Sequence, residues 1–147
     1  MTEQLDNFFN EKGIKKSVPE FNPSQETKIQ SVNDKVIKPV LQQLAEKLTA
    51  YSNCKADMMT SKKEVTSIKE NVELKFYRTM TLKFVYRPKF SVEGDNIFVT
   101  GQYCIPNLYN EAIEFKNTSL NKNISDLTPS DITDDFSAVF TSNVDIK

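Results

Sequence analysis

The feature that most restricts this chain is an alternation with a period of two that runs from Val72 to Tyr86. Val72, Leu74, Phe76, Met80, Leu82, Phe84 and Tyr86 occupy even positions, while Glu73, Lys75, Tyr77, Thr79, Thr81, Lys83, Val85 and Arg87 fill the odd ones. Successive side chains of a strand point to opposite faces, so the pattern predicts one strand with a buried face and a wet face. No Gly, Asn or Pro interrupts the run, which argues against a tight hairpin inside it. Arg78 is the non-apolar exception on the even side, and a bulge there would turn it outward.

Beyond Pro88 the alternation resumes at Phe90 and Val92. It turns at Glu93-Gly94-Asp95-Asn96 and returns through Ile97, Val99, Gly101, Tyr103 and Ile105, an antiparallel hairpin over 89–105. Ala112 to Lys116 reads as a last short strand and residues 117–127 as a polar loop. Upstream, Ala56 to Thr60 fits a short strand, and Ser61-x-x-Glu64 resembles a capping box opening a turn or two of helix.

Helical periodicity flanks this strand-forming region. Asn22, Pro23 and Gln25 have the order of an N-cap, a first helical residue and a capping-box partner. Ile29, Val32, Val36, Ile37, Val40, Leu41, Leu44, Leu48 and Tyr51 then form one apolar stripe. Pro39 lacks an N–H and crowds the preceding turn, so one kinked helix is expected, with Asn53 suited to its end. At the other end, Thr128, Pro129 and Asp131 repeat the entry signature, Leu127 and Ile132 are spaced as a hydrophobic staple, and Ile132, Phe136, Val139 and Phe140 share a face. Asp131, Asp134 and Asp135 lie near that helix's start, where its dipole favours negative charge.

The order of elements predicts an α+β fold: a long kinked N-terminal helix packed on one face of a curved antiparallel meander, closed by a C-terminal helix. Residues 25–147 form a single domain in this reading, and residues 1–24 an arm and linker. In the arm, Leu5, Phe8 and Phe9 line a short helix that Gly13 stops, and Pro19 and Pro23 mark an extended connector. These apolar residues require a surface, and docking onto the chain's own core is the first expectation.

Composition removes much chemistry. The 147 residues contain no His and no Trp, which excludes imidazole-based nucleophilic catalysis and His-ligated metal sites within the chain. Cys54 and Cys104 lack CxxC spacing, and without a signal peptide they read as reduced thiols. Gly13, Gly94 and Gly101 are the three glycines, too few and too scattered for a phosphate-cradling loop. Ser52-Asn53-Cys54-Lys55 matches SxxK, but its companion elements are missing and a polar helix end explains it. Asn117-Thr118-Ser119 and Asn123-Ile124-Ser125 are glycosylation sequons, meaningful only in a secreted chain. No catalytic residue, metal ligand or cofactor is therefore assigned.

Three uses of the surface remain. Nineteen Lys+Arg balance twenty Asp+Glu, which disfavours nucleic acid as a partner, yet Lys75, Tyr77, Lys83, Arg87 and Lys89 gather on the outward parity, a face suited to single strands. Phe76, Met80, Phe84, Val99, Tyr103 and Phe140 could line a pocket for an apolar ligand between helix and sheet, although close packing explains them equally. The favoured reading is a non-catalytic protein-interaction module, an adaptor, assembly component or escort, with Leu5, Phe8, Phe9 and Phe21 as partner-binding residues. A homodimer through the arm or a sheet edge follows as a corollary. No apolar run is long enough to span a bilayer and the start lacks a signal-peptide order, so no membrane association and a cytoplasmic location are expected.

Overall fold

The computed structural model describes residues 2–14, 21–62, 70–106 and 114–144. It is an α+β fold. Helix α1 (Thr2–Glu11) comes first, then a helical stretch composed of α2 (Pro23–Val32), a π turn (Asn33–Ile37) and α3 (Lys38–Thr49). Strands β1 (Cys54–Lys62), β2 (Glu70–Arg78), β3 (Thr81–Glu93), β4 (Asn96–Cys104) and β5 (Lys116–Asn123) follow, and α4 (Pro129–Asn143) closes the order. The five strands form one antiparallel meander, β1-β2-β3-β4-β5. The first helix is thus a short one, and the long helical stretch stands second rather than N-terminal.

That stretch begins as its residues dictate. Asn22 Oδ1 accepts from the Gln25 N–H and Gln25 Oε1 accepts from the Asn22 N–H, a complete capping box with Pro23 in the first turn. Pro39 cannot donate to Lys35, and the ladder answers by widening: the Lys38 N–H reaches back five residues to the Asn33 carbonyl. The π turn takes up the missing bond, so the chain stays helical from Pro23 to Thr49. Tyr51, placed on the apolar stripe by spacing, lies beyond the helix end and is exposed.

The run from Val72 to Tyr86 is a hairpin, not one strand. Arg78 pairs with Thr81 across a two-residue turn in which Thr79 and Met80 have φ of 48° and 67°. Positive φ at both central residues marks a type I′ turn, normally the place of Asn-Gly. Two-residue closure pairs positions of opposite parity, Arg78 with Thr81 and Tyr77 with Leu82. A bulge then restores the match, setting Phe76 opposite Phe84 and Leu74 opposite Tyr86, with Lys83 the extra residue. Even positions therefore meet again on the buried face, as if no turn existed. Met80 sits at the tip, 97% exposed, and Leu82 shares the face of Tyr77, so both leave the sealed side.

Val72, Leu74, Phe76, Phe84, Tyr86, Phe90, Ile97 and Val99 line the inner face beneath the helices. Helix α3 packs on β1 and β2, α4 on β4 and β5, and the two helices touch. Edge-to-face contacts of Phe76 with Phe140 and of Phe84 with Phe136 and Phe140 interlock sheet and α4, with centroids 5.0–5.8 Å apart. Residues 117–123, read as part of a polar loop, belong to the edge strand β5, where Leu120 alone is buried. Of the strand expected over Ala112 to Lys116, residues 112 and 113 lie outside the described residues, and β5 starts only at Lys116. Ser61 belongs to β1, and the rest of its capping-box reading lies outside the described residues.

Candidate interaction site

Helix α1 ends as a Schellman motif. The Ile14 N–H donates to the Phe9 carbonyl and the Gly13 N–H to the Asn10 carbonyl, with Gly13 at φ 72°. Leu5, Phe8 and Phe9 fall three and four residues apart and so share one side of the helix. They are not sealed: Leu5 is 61% exposed, Phe8 51% and Phe9 46%. Phe8 and Phe9 meet edge to face at 5.5 Å, and Lys12 Nζ lies 5.8 Å from the Phe8 ring. The expected docking of this arm onto its own core is not observed. Phe21 requires the opposite correction. It is 2% exposed and packs in the core, so it anchors the chain ahead of α2 and offers no partner surface.

The outer sheet face divides into a closed and an open part. In the closed part Arg87 Nε donates to Gln102 Oε1 at 3.0 Å, Gln102 Nε2 donates to Asn117 Oδ1 at 3.0 Å, and the Arg87 guanidinium lies 3.5 Å from the Phe115 ring centroid. Glu73 adds an ion pair to Arg87 at 3.8 Å. Val85 and Cys104 pair beside this relay and are buried although they belong to the outward parity. Burial, then the nearby Glu73 carboxylate, hold the Cys104 thiol above its ordinary pKa; both cysteines are free thiols. Arg87 is thus occupied within the fold, apart from the other basic candidates.

The open part groups Lys75, Tyr77 and Lys83 with Leu82, beside Lys55 and Asp57 of β1. Tyr77 pairs with Leu82 and Lys55, and Lys75 with Val85 and Asp57. Lys83 and Lys89 are exposed, and Lys75 and Tyr77 are half-buried. Lys89 pairs with Thr100, further along β3 and past Arg87. The structure therefore brings Lys75, Tyr77 and Lys83 together and sets Lys89 apart.

Two polar clusters escaped the sequence reading. Under α4, Tyr86 Oη donates to Asp135 Oδ2 at 2.7 Å and Thr118 Oγ1 donates to the same oxygen at 2.6 Å. Asp135 stands three residues after Ile132 on the buried stripe of α4, so its helical phase was the overlooked signal. A Cβ at Gly101 would land on the Asp135 and Thr118 oxygens, which is why this crossing takes glycine. Burial, then the Asp135 charge, push the Tyr86 phenol far above its usual pKa. At the π turn, Glu70 accepts from Gln30 Nε2 at 2.9 Å and from Lys38 Nζ at 3.0 Å, and Asn33 Nδ2 donates to the Glu70 carbonyl at 3.1 Å. Burial pulls the Lys38 ammonium down, but its bonds to Asp34 and Glu70 outweigh that and raise it; the Lys38 bond lowers Asp34 in turn.

The six residues considered for a ligand pocket do not share one cavity wall. Phe76, Phe84, Val99 and Phe140 pack in the core, Tyr103 stacks on Phe84 at 5.9 Å, and Met80 stands at the hairpin tip. Among the described residues, no group of three or more His, Cys, Asp or Glu is placed to hold a metal ion, and no helix is long and apolar enough to cross a membrane. Comparison with protein-family models, with curated proteins and with solved structures finds no match to this chain.

Proposed function

We propose that this chain is a non-catalytic protein-interaction module of the cytoplasm, and that α1 is the element it presents to a partner. The observation that carries the reading is the contrast in burial. The large apolar side chains under α3 and α4 are sealed, whereas Leu5, Phe8 and Phe9 are about half exposed or more on a helix with its own stop signal. Apolar side chains held on one side of an amphipathic helix are the form in which helices enter partner grooves. Two free thiols suit a reducing compartment.

A photo-crosslinking amino acid in place of Phe8, installed in living cells, tests this directly. The expected result is covalent protein adducts that disappear when Leu5→Ser and Phe9→Ser are added. Adducts to lipid or nucleic acid alone, or none at all, would overturn the reading.

A further inference from the structure

We propose that the edge strand β1 pairs with the same strand of a second copy, antiparallel about a two-fold axis at Thr60, so that two five-stranded meanders join into one sheet. This pairing is independent of the reading of α1, and each can fail without the other. It rests on the main-chain groups that β1 turns away from β2. Ala56 identifies them. Its N–H donates to Thr49 Oγ1 at 3.0 Å and its carbonyl accepts from the same hydroxyl at 3.3 Å, so Ala56 faces outward. The pairing of β1 with β2 is unbroken from Cys54 to Lys62, and alternation therefore turns Cys54, Met58, Thr60 and Lys62 outward as well.

One half of this edge is closed and the other is open. The Cys54 N–H donates to the Tyr51 carbonyl, and Thr49 holds both groups of Ala56. The oblique course of α3 is the cause: Lys38 at its start bonds Glu70 of β2, while Thr49 at its end reaches the outer side of β1. From Met58 to Lys62 the outward N–H and C=O groups have no partner among the described residues.

The free groups select the occupant and its register together. Antiparallel strands exchange two bonds wherever two inward-turned residues of the new ladder meet. An axis at Thr60 sets Thr60 opposite Thr60 and Met58 opposite Lys62, and every free group of both copies is then bonded. An axis at Met58 or Met59 calls on Ala56, whose groups Thr49 already holds. One at Ser61 carries Met58 past the last residue of the opposing strand, and one at Lys62 sets like charges directly opposite. A foreign strand would draw its selectivity from side-chain pockets beside the edge, whereas a second copy needs none, because it brings free groups of the same number and spacing. Met59, 47% exposed, then lies across from Ser61 of the second copy. The strip is short of the roughly 1,000 Å² typical of a stable interface, so the dimer is weak, with a dissociation constant of about 100 μM.

Cysteine pairing reads the register. In a Cys54→Ser background, Met59→Cys and Ser61→Cys are made separately and oxidised mildly, alone and mixed. The axis at Thr60 sets position 59 of one copy about 4.5 Å at Cα from position 61 of the other, within reach of a disulfide. The mixture should link about tenfold faster than either variant alone, since like positions are displaced along the strands. Sedimentation of the unaltered chain should show a monomer–dimer equilibrium. Thr60→Pro should abolish it by removing the N–H at the axis; proline is tolerated on an edge, and circular dichroism checks the fold. Deletion of residues 1–14 should leave the equilibrium unchanged. Self-linking of either cysteine variant as fast as the mixture overturns the axis at Thr60. A chain monomeric at millimolar concentration, or a folded Thr60→Pro variant that still dimerises, overturns the edge pairing. A dimer lost with residues 1–14 overturns it too and moves the contact to α1.

Discussion

Phe84, Phe136 and Phe140 under α4 and Phe8 and Phe9 on α1 are the same side chain in opposite circumstances. The first three interlock at centroid distances of 5.3–5.8 Å and are nearly inaccessible. The other two touch each other and otherwise face outward. The difference lies in what surrounds them: a sheet and two helices close over one set, while a short helix closes over nothing. Burial energy holds the fold in the first region and remains unspent in the second, where association can release it. Substitutions in the two regions should therefore move different observables.

The largest stability effect is expected at the tightest crossing of the sealed region. Gly101→Ala places a methyl group against the Asp135 and Thr118 oxygens, overpacking the site and displacing a carboxylate held by two donors. A loss of about 3 kcal/mol is expected in chemical denaturation. A neutral result would mean that the inner layer yields, and the contrast with the arm would lose its basis.

This crossing also illustrates where the sequence was opaque. The hairpin over 89–105 and the capping boxes at Asn22 and Thr128 were legible because each rests on local spacing. Asp135 was not, because a carboxylate near a helix start has a sufficient local explanation in the dipole, and its real partners Tyr86 and Thr118 lie far away in the chain. Two local errors cancelled in the turn at Thr79-Met80: a hairpin that should have switched parity and a bulge that switched it back left an unbroken period of two. Half of the candidate site was readable for a similar reason. Helical spacing grouped Leu5, Phe8 and Phe9, but nothing local separates Phe21, which is sealed, from residues that are not.

Next in size is the buried phenol. Tyr86→Phe removes one of two donors to Asp135 Oδ2 and should cost about 2 kcal/mol near neutrality. It also has a pH signature. Burial and the neighbouring carboxylate raise the folded-state pKa above the unfolded value, so the phenol's contribution is intact below about pH 10 and declines above it. The decline is about 1.4 kcal/mol per pH unit, because only the unfolded chain ionises there. The unaltered protein should lose stability more steeply than Tyr86→Phe between about pH 10 and 11, and parallel curves would place the phenol in water.

A smaller change of opposite sign is expected at the hairpin tip. Thr79 is β-branched and held at positive φ, a conformation that disfavours it by about 1 kcal/mol or more. Replacing Thr79-Met80 by Asn-Gly supplies residues that adopt it readily and should raise stability by about 1 kcal/mol. The Thr79 N–H bond to the Asn53 carbonyl is a backbone contact and survives the exchange. An unchanged midpoint would show the turn relaxed despite its dihedral angles.

The smallest stability effect is expected where the effect on association is greatest. Leu5→Ser/Phe8→Ser/Phe9→Ser alters three large apolar residues, a change that would unfold the protein if made under α4. On α1 the same chemistry should shift the unfolding free energy of the isolated monomer by no more than about 0.5 kcal/mol, since no sheet or helix closes over these side chains. Measurement belongs at protein concentrations where the unaltered chain is monomeric, because a ligand or second copy that binds only the folded form adds apparent stability by mass action. A large loss in the monomer would mean that α1 is a structural member of the domain, and the two regions would be one.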